Sequence, residues 1–216
     1  MKKVSSYSQA YNEWQWIIPQ HFNMGVSICD AQNQSATALI VPQINGAQLE
    51  YSFGDLRKES SKLVNLLLAN GLSQGDRVAI LLPQKAETLI AHIASYRANF
   101  IAMPLAQLFG PDALEHRLTD SKASVVITDQ AGCKKIDQVK HPLPDLKLIL
   151  SLDGKTECGL HDVQDFYAEM ARARDFFDPV VTKSSDPALL IYTSGTTGNP
   201  KGALLPHRTM IGHIPG

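Results

Sequence analysis

Five short runs in this chain are apolar at nearly every residue: DRVAILLP (76–83), IAMPL (101–105), SVVIT (124–128), LKLILSL (146–152) and DPALLIYT (186–193). Each is too short for a buried helix, and successive strand side chains point to opposite faces. A strand that is apolar on both faces must therefore be covered on both. Ahead of the first run and between the others lie segments of helical period: Phe53 to Asn70, 84–100, a helix opened by Pro111 and running to about Ser121, a weaker one after 128, and 161–174. Strand and helix in strict alternation predict an α/β fold, with mostly parallel strands and helices on both faces.

Local chemistry sharpens several boundaries. Ser52 caps the helix at Phe53, and Asp55 three residues on completes a capping box. Leu56, Ser60, Leu63, Val64 and Leu67 share one face, and Gly71 ends the helix. TALIVP (37–42) and LEYSF (49–53) flank Asn45-Gly46, a pair suited to a tight turn, and predict a β-hairpin. The first thirty residues read as irregular, with Trp14, Trp16, Ile17, Ile18 and Phe22 as anchors onto the core. DFFDPVVTKSSDP (175–187) reads as a linker.

The 216 residues are 44% hydrophobic and 19% charged, with a formal net charge of −1. That balance suits a globular chain and gives no global basic field for nucleic acid. The cysteines Cys29, Cys133 and Cys158 form no CxxC pair, which points to a reducing compartment with buried, idle thiols. There is no apolar signal region near Met1, and no run approaches the roughly 18 to 20 apolar residues of a membrane span. The expected location is the cytoplasm. His207 and His213 lack the spacing of a helical metal pair, and no metal ligands are assigned. His207 reads as a brace for the following helix. Lys2–Lys3 and Lys134–Lys135 read as solvated surface.

The stretch IYTSGTTGNPKGALLPHR (191–208) is unlike the rest. Gly195, Gly198 and Gly202 let the backbone approach a ligand closely. Thr193, Ser194, Thr196 and Thr197 offer hydroxyls, Lys201 offers a cation, and amides in such turns converge on anions. The equipment suits a polyphosphate. It is not a Walker loop. Counted from Gly195, Pro200 stands where that motif needs glycine, Gly202 where it needs Ser or Thr, and GALLP (202–206) reads as a strand rather than a helix. Nor is Ser194 in a G-x-S-x-G elbow. A plain hairpin accounts for the glycines but not for a lysine and four hydroxyls within nine residues.

YTSGTTGNPKG resembles the phosphate-loop signature of the adenylate-forming enzymes, [ST]SG[ST]TGxPKG, at every fixed position. YSFGDLRKESSKLVNLLLANGLSQGDRVAILLP (51–83) is similar to the early segment of the same superfamily. Trp16, Pro19, Phe22 and Asn23, with HR-x-x-x-GHIPG at the end, look most like its bacterial acyl-CoA synthetase branch. The resemblance implies that 1–216 is part of the N-terminal AMP-binding domain: an irregular segment 1–35, an α/β region 36–180 and a phosphate-loop segment 186–206. On the same resemblance, the C-terminal domain of the family is expected to be absent. It implies ATP, Mg2+ and coenzyme A as cofactor and co-substrates, and a small carboxylic acid as partner. Thr193, Ser194, Gly195, Thr196, Thr197, Gly198, Lys201 and Gly202 would bind nucleotide, with Lys201 as the catalytic cation. The expected function is carboxylate adenylation followed by thioester formation. The isolated chain is expected to be inactive and to self-associate through an exposed sheet edge. The alternative is a non-catalytic remnant that binds phosphate or a partner.

Overall fold

The computed structural model describes residues 6–13, 15–43, 46–154, 163–193 and 198–213. In chain order the elements are α1 (Tyr7–Glu13), a π-helical turn (Val26–Asp30), β1 (Thr37–Pro42), β2 (Gln48–Ser52), α2 (Phe53–Ala69), β3 (Arg77–Leu81), α3 (Ala86–Arg97), β4 (Ile101–Pro104), α4 (Pro111–Ser121), β5 (Ala123–Thr128), α5 (Gln130–Ile136), β6 (Leu148–Ser151), β7 (Val163–Asp165), α6 (Phe166–Arg172), β8 (Pro187–Thr193), β9 (Lys201–Pro206) and α7 (Thr209–His213).

Seven strands form one sheet in the order β7-β6-β5-β3-β4-β8-β9, and β1 and β2 form a separate hairpin. Every neighbouring pair in the large sheet is parallel except β8–β9. The continuous apolar runs are explained by two cores, one on each face. Val78 and Ile80 of β3 face the first, with Leu56 and Leu63 of α2, Ile93 of α3 and Phe166 of α6. Ala79 and Leu81 face the second, with Leu114 and Leu118 of α4 and Cys133 and Ile136 of α5.

The capping box at α2 is complete. The Asp55 amide donates to Ser52 Oγ at 3.1 Å, and the Ser52 amide donates to Asp55 Oδ2 at 2.9 Å. At the other end Gly71 has φ +78°, the Leu72 amide reaches the Leu67 carbonyl, and the Gly71 amide reaches that of Leu68. That double bond satisfies carbonyls the helix would otherwise strand. In the β1–β2 turn Gly46 takes φ +82°, while Asn45 lies outside the described residues.

Three expectations are corrected. Trp16, Ile17 and Ile18 are 52%, 87% and 48% exposed, so they are not buried in the core. Polar groups and small apolar ones anchor the N-terminal segment. Asn23 Nδ2 donates to the Val180 carbonyl, the Met24 amide donates to His207 Nδ1, and Cys29 is fully buried. Trp14 lies outside the described residues. The segment 175–187 is stitched down rather than loose. Thr182 Oγ1 donates to the Phe22 carbonyl, Ser184 Oγ to the Pro19 carbonyl, and the Val180 amide to the Arg97 carbonyl. The helix expected at 161–174 begins only at Phe166, because Val163–Asp165 first pairs with β6 and Asp165 then caps the helix by accepting from the Ala168 amide. His161 lies outside the described residues.

Burial pushes the Cys29 thiol up to about 11, with the Asp30 carboxylate adding to the effect, so it stays uncharged. Cys133 is buried as well, and Cys158 lies outside the described residues. No helix among the described residues is long and apolar enough to cross a membrane.

His207 is fully buried, with its Nδ1 occupied by the Met24 amide. Its own amide donates to the Asp186 carbonyl, so the residue braces the N-terminal segment against the entry to α7. Burial pushes its pKa down from 6.5 to about 4 against an opposing pull from Asp186, and burial does the same to His92. The unfolded chain takes up both protons as the pH falls below about 6.5, and the folded chain only near 4. Stability is therefore full above the first value and declines as the pH falls towards the second. Urea midpoints at pH 7.5, 6 and 5 should fall in that order. His207→Asn, which keeps an acceptor for Met24, should flatten the slope. A profile level from pH 7.5 to 5 would contradict the neutral assignment.

Candidate functional site: the β8–β9 turn

β4 and β8 run parallel, so the glycine-rich turn after β8 leaves the same edge of the sheet as the loops after β3 and β4. Carboxyl ends of parallel strands are where α/β sheets hold ligands. A cavity of about 810 Å3 opens at this edge, lined by Pro83, Lys85, Gln107 and Leu108 and roofed by Leu39 and Val41 of the hairpin. It is not legible in the sequence, since its walls come from three separated segments.

β8 and β9 meet in antiparallel register, with Thr193 opposite Lys201 and Tyr192 opposite Gly202. Thr193, Gly198, Lys201 and Gly202 are all exposed at the turn. Gly198 has φ +90°, a conformation that side-chain-bearing residues resist. A Cβ at Gly202 would lie 2.9 Å from Leu190 Cδ1 and 3.3 Å from Tyr192 Cζ, so glycine there makes room for the Tyr192 ring to lie across the ladder. Ser194, Gly195, Thr196 and Thr197 lie outside the described residues.

The flanks of the turn rest on α4. The Tyr192 hydroxyl donates to Asp120 Oδ2 at 2.6 Å, and His116 Nε2 donates to the Pro200 carbonyl at 2.9 Å. The His116 and Tyr192 rings meet edge to face at 6.1 Å. The Arg117 guanidinium sits 3.9 Å from the Phe109 ring centroid and 5.6 Å from that of Tyr192. Burial, then the hydrogen bond and charge of Asp120, push the Tyr192 hydroxyl well above the usual tyrosine range, so it remains a donor. Burial lowers the Arg117 pKa. His116 and Asp120 went unnoticed in sequence. Their four-residue spacing puts them on one face of α4, but nothing local shows what that face meets.

A mostly parallel sheet covered by helices, with a glycine- and lysine-bearing turn at its carboxyl edge, defines an α/β domain of the kind that holds ligands at that edge. The chain belongs to the AMP-binding enzyme family, whose model matches residues 29–214. It is 34% identical to the acetyl-coenzyme A synthetase of Bacillus subtilis (strain 168), over 75% of this chain and 28% of that one. It is 32% identical to the mitochondrial acyl-coenzyme A synthetase ACSM3 of Mus musculus, over 98% of this chain and 36% of that one. The crystal structure of Brucella canis acyl-CoA synthetase superposes with a TM-score of 0.85 at 29% identity, covering 97% of this chain and 39% of that one. The chain thus spans about a third of the length of these relatives.

Proposed function

We propose that this chain carries the nucleotide-phosphate grip of an AMP-forming acid–thiol ligase. In the first step a carboxylate oxygen attacks the α-phosphorus of ATP, the bond to the β-phosphate breaks, and pyrophosphate leaves. In the second the sulfur of coenzyme A attacks the acyl carbon, the acyl–oxygen bond breaks, and AMP leaves. The first step crowds anions together, so its chief need is charge stabilisation on the departing phosphates.

The Ser194, Thr196 and Thr197 hydroxyls and the Gly195 and Gly198 amides would hold the β- and γ-phosphates, with Thr193 and Gly202 framing the turn. Lys201 would supply positive charge that gains value as pyrophosphate forms. The donors suit phosphate oxygens rather than a metal held by the protein. The Asp120 carboxylate, which meets the β8 limb of the turn, is engaged by Tyr192. Magnesium would arrive with the nucleotide and would supply charge neutralisation to its phosphates beside Lys201. The substrate class is a small carboxylic acid, as the relatives' names suggest for those proteins.

The observation that carries this reading is the register pairing of Thr193 with Lys201 across the signature turn. It brings the first hydroxyl and the cation to one mouth. Isothermal titration of ATP with magnesium should show binding to the chain, and Lys201→Ala should weaken it about tenfold, as befits loss of one charge-assisted contact. Equal affinity for the two proteins would remove Lys201 from the site.

A further inference from the structure

We propose that His116 and Asp120 of α4 are positioning residues that fix Tyr192 and Pro200, and with them the placement of Thr193 and Lys201 at the two limbs of the phosphate-binding turn. The proposal rests on the functional reading above and adds to it a part of the chain that neither the signature motif nor its flanks contain.

The geometry is specific. Pro200 and Tyr192 lie on the two limbs of the turn, next to Lys201 and Thr193 respectively. His116 and Asp120 are one helical turn apart on α4, so they present two polar groups to the same side at a spacing fixed by the helix. His116 takes the Pro200 carbonyl, and Asp120 takes the Tyr192 hydroxyl. Proline has no N–H, so its carbonyl is the backbone group through which that position can be tied. Lys201 follows directly, and its backbone position is set where Pro200 is held. The limb needs such a tie, because β9 is the last strand of the sheet and Lys201 to Leu204 are exposed.

Three further contacts make the support rigid. His116 packs edge-on against the Tyr192 ring, so the two ties reinforce each other. Arg117, between them in sequence, sits between the Phe109 and Tyr192 rings. Gly202 leaves the space that the Tyr192 ring needs to reach across the hairpin towards α4. The donor at His116 must be Nε2–H, which makes the assignment sensitive to the shape of the replacement. A glutamine amide reaches the place of Nε2, and an alanine does not.

Limbs held in advance lose less freedom when a triphosphate binds between them, so the ties act on affinity. Titration of ATP with magnesium, and of inorganic triphosphate, into the 216-residue chain tests this, with the melting midpoint of each variant measured alongside. His116→Ala should bind both ligands about five- to tenfold more weakly, the effect of roughly one hydrogen bond. His116→Gln should restore binding to within about twofold. Tyr192→Phe, which removes only a hydroxyl, should weaken binding about threefold and provides the test should His116→Ala fail to fold. Adding His116→Ala to Lys201→Ala should cost less than it does alone, because the tie acts through the placement of Lys201. Unaltered binding in folded His116→Ala and Tyr192→Phe overturns the positioning role and leaves the functional reading standing. Weakening that glutamine does not repair, or that adds fully to Lys201→Ala, marks a general structural loss and also overturns it. If the unaltered chain binds neither ligand, the functional reading falls and this inference falls with it.

Discussion

Asp30→Ala should lower stability by about 3–5 kcal/mol, because it strands a guanidinium that water cannot reach. The Arg97 side chain is 1% exposed. Its Nη2 donates to Asp30 Oδ1 at 3.0 Å, and its Nε lies 2.9 Å from Oδ2 as an ion pair without a hydrogen bond. Its remaining donors go to Ser60 Oγ, Ser61 Oγ and the carbonyls of Arg57 and Phe177. One side chain thus ties the π-helical turn, α2, α3 and the 175–187 crossing together. For a chain of this size the loss corresponds to a fall in melting midpoint of roughly 10 °C. The double replacement Asp30→Leu with Arg97→Met should recover most of it, since a buried pair exchanged for apolar side chains costs little. A midpoint within about 2 °C of the parent for Asp30→Ala would mean that Arg97 is solvated and the clamp is not real.

Gly25→Ala is expected to cost about 2–3 kcal/mol through overpacking at the same junction. The backbone there has φ −63° and ψ −42°, which alanine adopts freely, so strain is not the cause. Space is. The added Cβ would lie 2.6 Å from Arg97 Cγ, 2.8 Å from the Arg97 amide nitrogen and 3.1 Å from the Ile93 carbonyl oxygen. The first of these can swing aside, but the other two are backbone atoms of α3 and cannot move without moving the helix. Gly212→Ala, where no atom lies within 4 Å, serves as the control and should be neutral or slightly stabilising. Chemical denaturation of the three proteins decides the matter, and equal midpoints for Gly25→Ala and the parent would mean that the turn at Val26 does not sit against α3 as described.

These two sites also show where reading the chain stops. The Ser52–Asp55 box and the Gly71 terminus were legible because each is settled within a few residues by hydrogen bonds the backbone must make. The buried strands were legible because two apolar faces leave a run with no polar side. By contrast, Trp16, Ile17 and Ile18 looked like anchors and are exposed, since hydrophobicity alone does not say whether a partner surface is within reach. Nothing local marks Arg97, in the last turn of α3, as buried, since its partner Asp30 lies 67 residues earlier. At the site, the signature turn was plain, but its support was not. His116 and the Pro200 carbonyl are 84 residues apart, and Asp120 and Tyr192 are 72 apart.

By itself, then, the amino-acid order determined the period of each segment, the caps, the two-faced burial and the hydroxyl–glycine–lysine turn, because local sterics and hydrogen bonding decide them. Only the tertiary structure decided the strand order, the antiparallel return of β9, the shared carboxyl edge and the α4 support of the turn. Those depend on which crossovers bring distant faces together, and side chains far apart in the chain acquire partners only after the sheet has chosen its neighbours.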